Sequence, residues 1–337
     1  MKPLFLGLAG TALSEDERAL FSAADPAGYI VFRRNVADRN QLRALTDDLR
    51  ALSGRADLPI LIDQEGGRVA RMQPPIWPAF PPAARFDALY EVAPISAIEA
   101  ARLNAKALGA MLAEVGITVD CLPLLDVRQP GAHDIIGDRA LGSEPLRVAA
   151  LGRAVIEGLR ESGVVGVVKH MPGHGRAMAD SHVELPVVDA DEAALETDLA
   201  PFISLCGAPM GMTAHVVYTA WDRENCGSLS AKVIGDIIRT RIGFDGLLMS
   251  DDLGMHALTG SFGERAAGVI TAGCDIALHC SGDFAEMSAC VEAVGEISAA
   301  AKARLDRAMA TVATPAAPEP FEELLARRDA LLAYAQT

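Results

Sequence analysis

The chain has 337 residues, half of them apolar, which is enough to bury one large α/β core or two smaller ones. Its formal net charge of −15 excludes the basic field that would attract nucleic acid or an anionic membrane surface. The six cysteines form no C-x-x-C pair, which favours reduced thiols over a disulfide framework. We therefore expect a cytoplasmic protein that binds neither nucleic acid nor membranes.

The predicted strands are short apolar runs, each followed by polar residues. Their apolar residues are continuous rather than alternating, as is typical of strands buried on both faces. The first run could alternatively be interpreted as a short signal peptide. We favour a strand because Lys2 is the only charge before it, and because Ser14 and Glu17 after it have the spacing of a helix capping box. The eight runs occupy residues 4–10, 28–34, 58–64, 117–123, 164–170, 209–215, 246–252 and 274–280.

Helices are predicted between these strands, where apolar residues recur at helical spacing. The clearest segments are 40–52, 97–116, 144–163 and 230–243, and the last three end at a glycine. Strands that alternate with helices predict an α/β protein, a single-domain (β/α)₈ TIM-type barrel. An open doubly wound sheet is the alternative, but no G-x-G-x-x-G follows a predicted strand.

The domain boundary is predicted from a Pro/Ala-rich stretch near the C-terminus. We expect residues 1–313 to form the barrel catalytic domain. Residues 314–337 would form a linker, which begins "TPAAPEP", and a helix packed on the barrel. No charge-free window of about 20 apolar residues is present, so no transmembrane helix is predicted.

Polar residues follow most of the predicted strands, and the active sites of such barrels form at the carboxyl ends of the strands. Asp63, with Arg71 beyond it, could grip the hydroxyls of a ligand or form a structural ion pair. Asp251 could act as a nucleophile, a base, a metal ligand or a helix cap. The residues at the predicted strand ends are Arg34, Asn35, Asp63, Gln64, Glu65, Asp126, Lys169, His170, His215, Asp251 and Asp252.

The stretch "KHMPGHGRAMADSH" (169–182) concentrates three histidines. His170 and His174 have the spacing of two metal ligands on a helix, but the proline and glycines between and beside them predict a loop. Asp180 and His182 are two apart, and a carboxylate that holds an imidazole can make it a general acid and then a general base. A surface loop with incidental histidines is the alternative.

Two other classes of protein fit parts of this pattern. His170, His174, His215 and Asp251 could hold a metal ion in a metal-dependent hydrolase. However, the predicted first strand, "LGLAGT", offers no ligand. A non-catalytic sugar-binding barrel would keep the polar binding residues without a nucleophile or an acid. The presence of both Asp251 and the Asp180–His182 pair disfavours it.

Four motifs together resemble a known family: "DQEGGRVAR" (63–71), "IGDRALG" (136–142), "KHMPGHGRAMADSH" (169–182) and "GFDGLLMSDDLGM" (243–255). In this order they are similar to the β-N-acetylhexosaminidases of glycoside hydrolase family 3, of the NagZ type. The resemblance implies a (β/α)₈ barrel that releases terminal β-linked N-acetylglucosamine with retention of configuration. The implied substrate is N-acetylglucosaminyl-1,6-anhydro-N-acetylmuramic acid, with or without its peptide, from recycled cell wall.

The resemblance also implies roles for individual residues. Asp251 would be the nucleophile, and His182 would be the acid/base, held by Asp180. No metal or cofactor is implied, and we expect a monomer. Phosphate could replace water as the second nucleophile, which would make the enzyme a phosphorylase. The residues implied to bind the sugar are Asp63, Arg71, Arg139, Lys169 and His170.

Overall fold

A computed structural model shows an eight-stranded closed parallel barrel surrounded by helices. It describes residues 1–131, 134–179, 181, 184–312 and 319–336. The barrel order is β1-β10-β9-β7-β5-β4-β3-β2, so the predicted TIM-type α/β fold is confirmed. The barrel strands are β1 (Lys2–Gly7), β2 (Pro26–Val31), β3 (Ile60–Ile62), β4 (Val119–Asp120), β5 (Val165–Met171), β7 (Met210–Thr213), β9 (Leu247–Asp252) and β10 (Ile276–His279).

Two further strands, β6 (Val187–Val188) and β8 (Val217–Tyr218), pair with each other outside the barrel. The segment predicted to be helical over 230–243 contains a π-helix, Val233–Arg241. The α-helices are α1 (Glu15–Ala24), α2 (Arg39–Ser53), α3 (Ala84–Val92), α4 (Pro94–Glu114), α5 (Pro145–Glu161), α6 (Glu192–Ser204), α7 (Phe262–Ala272), α8 (Phe284–Ala293), α9 (Ala299–Met309) and α10 (Phe321–Leu332). None of these helices is long and apolar enough to cross a membrane.

Local sequence explains where several elements begin and end. At the start of α1, the Ser14 hydroxyl accepts from the Glu17 amide and the Glu17 carboxylate accepts from the Ser14 amide, which completes the predicted capping box. The glycines predicted to stop three helices, Gly116, Gly163 and Gly243, all have left-handed backbone, with φ of 78°, 76° and 77°. These stops return the chain to the next buried strand.

The core has two layers, as a barrel requires. Side chains such as Phe5, Ile30, Val167 and Met249 fill the inside of the barrel, while a larger cluster lies between the strands and the helices. The first predicted strand is the fully paired β1, hydrogen-bonded between β2 and β10. Polar side chains collect beyond this core, around a cavity at the carboxyl ends of the strands.

The C-terminal helix α10 lies against α4. Leu324 and Leu332 are buried there, and Arg328 donates to the Asn104 amide oxygen at 3.1 Å. These contacts are those of a helix docked on the barrel. Most of the proposed linker (313–318) lies outside the described residues, so the division at residue 313 remains a proposal.

Candidate active site

A cavity of ≈ 250 Å³ opens at the carboxyl ends of the strands. Every predicted site residue within the described part of the chain borders it: Asp63, Arg71, Arg139, Lys169, His170 and Asp251. Asp180 and His182, the predicted acid/base pair, lie outside the described residues. Other residues that line the cavity include Ile30, Phe32, Glu65, Arg68, Val69, Ile135, Ile136, His174, Ser181, Met212, Asp252, Met255, Leu278 and Cys280.

One wall of the cavity is a chain of alternating charges, Arg71–Asp63–Lys169–Glu65–Arg139, which we call the inner network. Asp63 follows β3 directly and pairs with Arg71 and Lys169, each at 3.1 Å. Glu65 pairs with Lys169 at 2.7 Å and receives both Nε and Nη2 of Arg139, at 2.7 and 2.8 Å. The network therefore joins β3, β5 and the connection after β4.

The inner network is buried and ionised. Burial alone would raise the pKa of Asp63 and of Glu65. Instead, Lys169 and Arg71 hold the pKa of Asp63 below its ordinary range, and Lys169 and Arg139 do the same for Glu65. Burial would lower the pKa of Lys169, yet Glu65 and Asp63 raise it above the ordinary value. The ion pair proposed for Asp63 and Arg71 is thus present, and it lines the cavity as well.

His170 is oriented by Asp126, a residue that the sequence placed at a strand end without a role. The Asp126 carboxylate lies 2.8 Å from His170 Nδ1 and accepts the backbone N–H groups of His170 and His174, at 3.2 and 2.7 Å. Burial alone would raise the pKa of Asp126, but the opposing effect of His170 is larger. The resulting pKa is about 2, so the carboxylate is ionised. His170 therefore donates from Nδ1 to Asp126, which fixes the orientation of its ring at the cavity.

Asp251 is the penultimate residue of β9, and its side chain is almost fully buried at the edge of the cavity. Burial raises its pKa, whereas His170 and His215 and a hydrogen bond of 2.8 Å from the Asp252 amide lower it below the ordinary value. Asp251 is therefore an ionised carboxylate, and it forms no ion pair with any of the described residues.

The neighbouring Asp252 has a different environment, as its opposite direction on an extended strand predicts. Its carboxylate accepts backbone N–H groups from Gly254 and Cys280, at 2.9 and 3.1 Å. Burial raises its pKa. Asp252 therefore holds the turn after β9 and the residue that follows β10.

His215 supports this strand end from behind. Its Nε2 lies 3.0 Å from the Asp252 carbonyl oxygen and must donate to it, so its Nδ1 accepts from the Ser228 hydroxyl at 2.8 Å. Burial lowers the pKa of His215, which keeps the ring neutral. Both ring nitrogens form hydrogen bonds, so His215, one of the possible metal ligands in the sequence, is a structural residue. Within the described ranges, no group of three or more His, Cys, Asp or Glu side chains could hold a metal ion.

His174 is buried against His170, with ring centroids 5.6 Å apart. Burial and His170 lower its pKa to about 4, so it is neutral at physiological pH. Its Nδ1 has no hydrogen-bond partner within the described part of the chain. His174 attaches the loop to Asp126 through its backbone N–H rather than through its imidazole.

The loop after β5 is fixed as far as Ala177. Tyr218 on β8 donates to the Gly173 carbonyl at 2.8 Å, and Arg176 pairs with Asp198 on α6. Gly175 lies so close to the backbone of Val127 that a Cβ atom at this position would be 2.0 Å from the Val127 carbonyl oxygen. Gly175, and Gly173 beside Asp198, thus serve close packing.

Comparison with known proteins places this site in a family. The family model described as "Glycosyl hydrolase family 3 N terminal domain" matches residues 5–314. A β-hexosaminidase of Aromatoleum aromaticum is 37% identical over 324 residues, which are 95% of this chain and 89% of the relative. One from Alkalilimnicola ehrlichii is 40% identical over 284 residues, 83% of this chain and 80% of the relative.

Solved structures show the same similarity. NagZ from Neisseria gonorrhoeae in complex with N-trifluoroacetyl-D-glucosamine has a TM-score of 0.84 and 30% identity, covering 99% of this chain and 97% of that one. The chain therefore belongs to glycoside hydrolase family 3, as the four motifs predicted. Within that family it is a glycoside hydrolase of the β-hexosaminidase type.

Proposed function

We propose that this chain is a retaining exo-β-N-acetylglucosaminidase that acts through a covalent glycosyl-enzyme. Asp251 is the nucleophile, and His182, held by Asp180, is the acid/base. The observation that carries the proposal is the state of Asp251, a buried and ionised carboxylate at the cavity without an ion-pair partner among the described residues. Such a carboxylate is an available nucleophile for an anomeric carbon.

The chemistry needs two steps. Asp251 attacks the anomeric carbon while His182 protonates the leaving oxygen, and a water molecule activated by His182 then releases the sugar with net retention. An imidazole suits both steps because its ordinary pKa lies near neutral pH. These side chains are sufficient for the reaction, and we propose that it uses no metal ion or cofactor.

The sugar would be bound by the groups that surround Asp251. Lys169, Arg139 and Arg71 each have N–H donors beyond those used within the inner network, and Asp63 offers acceptors. His170 presents Nε2 because Asp126 holds Nδ1. We propose these five residues as the ligands of the sugar hydroxyls and the acetamido group.

The proposed natural substrate is N-acetylglucosaminyl-1,6-anhydro-N-acetylmuramic acid, with or without its peptide, in cytoplasmic cell-wall recycling by a monomeric enzyme. Support comes from the NagZ relatives and from a cavity of a size suited to one sugar ring. The test is hydrolysis of p-nitrophenyl β-N-acetylglucosaminide and β-glucoside, and of the muropeptide disaccharide. We expect preference for the N-acetyl sugar and turnover unchanged by phosphate or chelator. Activation by phosphate would indicate a phosphorylase instead.

Two variants test the assigned roles. Asp251→Ala should lose about 10³-fold or more of kcat on every substrate and still bind N-acetylglucosamine. His182→Ala should lose about 10²- to 10⁴-fold of kcat/KM, which reports the first step, on the disaccharide, and much less of kcat/KM on a 2,4-dinitrophenyl glycoside, whose leaving group needs no proton. Equal losses on both substrates would rule out His182 as the acid.

A further inference from the structure

We propose that Glu65 is a positioning residue that fixes the direction of Lys169 and Arg139 and keeps Lys169 charged for sugar binding. This inference rests on the proposed sugar-binding roles of those two cations. Glu65 contacts both cations, Lys169 through one oxygen and Arg139 through both. Lys169 Nζ lies 2.7 Å from Oε1, and Arg139 approaches edge-on, with Nε 2.7 Å from Oε2 and Nη2 2.8 Å from Oε1.

Glu65 is too fully used to act on the substrate itself. A carboxylate has about four lone-pair sites, and three of those of Glu65 face Lys169 and Arg139. Its side chain is 4% exposed, compared with 17% for Asp63. Asp63 can therefore accept from a sugar hydroxyl, whereas Glu65 acts through the cations that it holds.

The contacts with Glu65 fix the direction of the N–H donors that Lys169 and Arg139 do not use on it. An ammonium has three N–H donors, and that of Lys169 lies against two carboxylates. A guanidinium has five, of which Arg139 uses two on Glu65 and one on the Ile135 carbonyl, at 3.0 Å. Because the used donors are fixed, the remaining ones point in a defined direction at the cavity edge, which is the preorganisation that sugar recognition requires.

Glu65 also controls the charge of Lys169. Among the described residues, the ionised carboxylates that act on the ammonium are Asp63, Glu65 and the more distant Asp251. Burial raises the pKa of Asp120 and of Cys121 well above their ordinary values. Within the described ranges, the charged or titratable groups that act on Lys169 include Asp63, Glu65, Asp120, Cys121, Arg139 and Asp251.

The experiment measures competitive inhibition by N-acetylglucosamine from pH 6 to pH 10 in the intact chain. The catalytic contribution of His182 cancels because inhibited and uninhibited rates are compared at the same pH. In the wild type we expect a Ki that is independent of pH up to about 9.5, because Lys169 stays charged. In Glu65→Gln we expect a Ki about 30-fold higher at pH 7, which rises further as pH increases and the buried ammonium loses its proton.

Two further variants make the test specific. Glu65→Asp keeps the charge but cannot reach both cations, so its Ki should be raised and still independent of pH. Glu161→Gln is the matched control, since Glu161 also bridges an arginine and a lysine, at 2.8 and 2.9 Å, but lies between α4 and α5 on the outside of the barrel. Its Ki should equal that of the wild type throughout.

The outcomes separate this inference from the proposed function. A Glu65→Gln protein whose Ki stays within threefold of the wild type, or rises without any pH dependence, would refute the role of Glu65 alone. If Glu65→Gln does not fold, a wild-type Ki in Glu65→Asp would refute it equally. A wild type that fails to bind N-acetylglucosamine would refute both proposals.

Discussion

Two networks of alternating charge in the described part of the chain are built from the same residue types in different surroundings. The inner network borders the cavity, where the side chains of Lys169 and Glu65 are 3% and 4% exposed. The outer network lies on α4, α5 and α10, where Glu161 joins Arg102 and Lys106 and is itself 29% exposed. Its other members are Glu99, Glu319 and Arg327.

The difference between them shows what a buried ion pair does. Water screens the outer network, and exposed pairs typically contribute between 0 and about 1 kcal/mol. The inner pairs are desolvated at a cost that their attraction roughly offsets, so they are poor devices for stability. What they provide is fixed, charged hydrogen-bond donors at the edge of a cavity, which a flexible surface cation would not provide.

The largest effect should come from breaking the inner network at its centre. Lys169→Met removes the cation shared by Asp63 and Glu65 and leaves two buried carboxylates with one fewer partner. We expect the free energy of unfolding at pH 7 to fall by about 3–5 kcal/mol, measured by urea denaturation. The control is Lys106→Met in the outer network, for which we expect about 1 kcal/mol or less. Similar losses in the two variants would contradict the comparison.

Sequence reasoning located this cavity well because the barrel strands carry two signals at once. Each of the eight barrel strands overlaps a predicted apolar run, and Asp63, Lys169, His170 and Asp251 all lie at or near the ends of such runs. Burial on both faces gives continuous apolarity, and the polar residues that follow can lie only at the open end. The predicted fold and the place of these side chains therefore depended on local pattern alone.

The partners of these side chains could not be predicted in the same way. Arg139 lies in a short 3-10 turn, Gly137–Arg139, which has no periodic signal, and only the family resemblance pointed to it. Glu65 stood among the polar residues after a strand, but its pairing with Arg139 joins positions 74 apart in the chain. The spacing of His170 and His174 suggested a metal site, whereas the fold uses Asp126, from another strand end, to orient both.

A second, intermediate effect should appear as a response to acid at the cavity end. The pKa of His174 is about 4 in the folded protein and about 6.5 when unfolded, so the unfolded state binds the extra proton between these values. The contribution of His174 is therefore complete above pH 6.5 and is lost as pH falls toward 4, by about 3 kcal/mol. His174→Gln cannot take up this proton, so its urea-unfolding free energy should fall less than that of the wild type between pH 7 and pH 4.5. Parallel curves for the two proteins would show that burial of His174 does not matter.

The smallest effect should come from the outer network, and its dependence on salt is the decisive measurement. In Glu161→Gln, Arg102 and Lys106 lose the carboxylate that they share. Burial raises the pKa of this carboxylate, but Lys106 and Arg102 lower it by more, so the pKa lies below its ordinary value. Because these side chains are partly in water, they are solvated again at little cost, and we expect a loss of about 1 kcal/mol or less at low salt. With a Debye length of about 3 Å at 1 M salt, the difference from the wild type should nearly disappear there, whereas the loss in Lys169→Met should persist because its surroundings exclude ions. A salt-insensitive Glu161→Gln defect would mean that the outer network is as desolvated as the inner one, and burial would then no longer explain why only one of the two lies at a binding site.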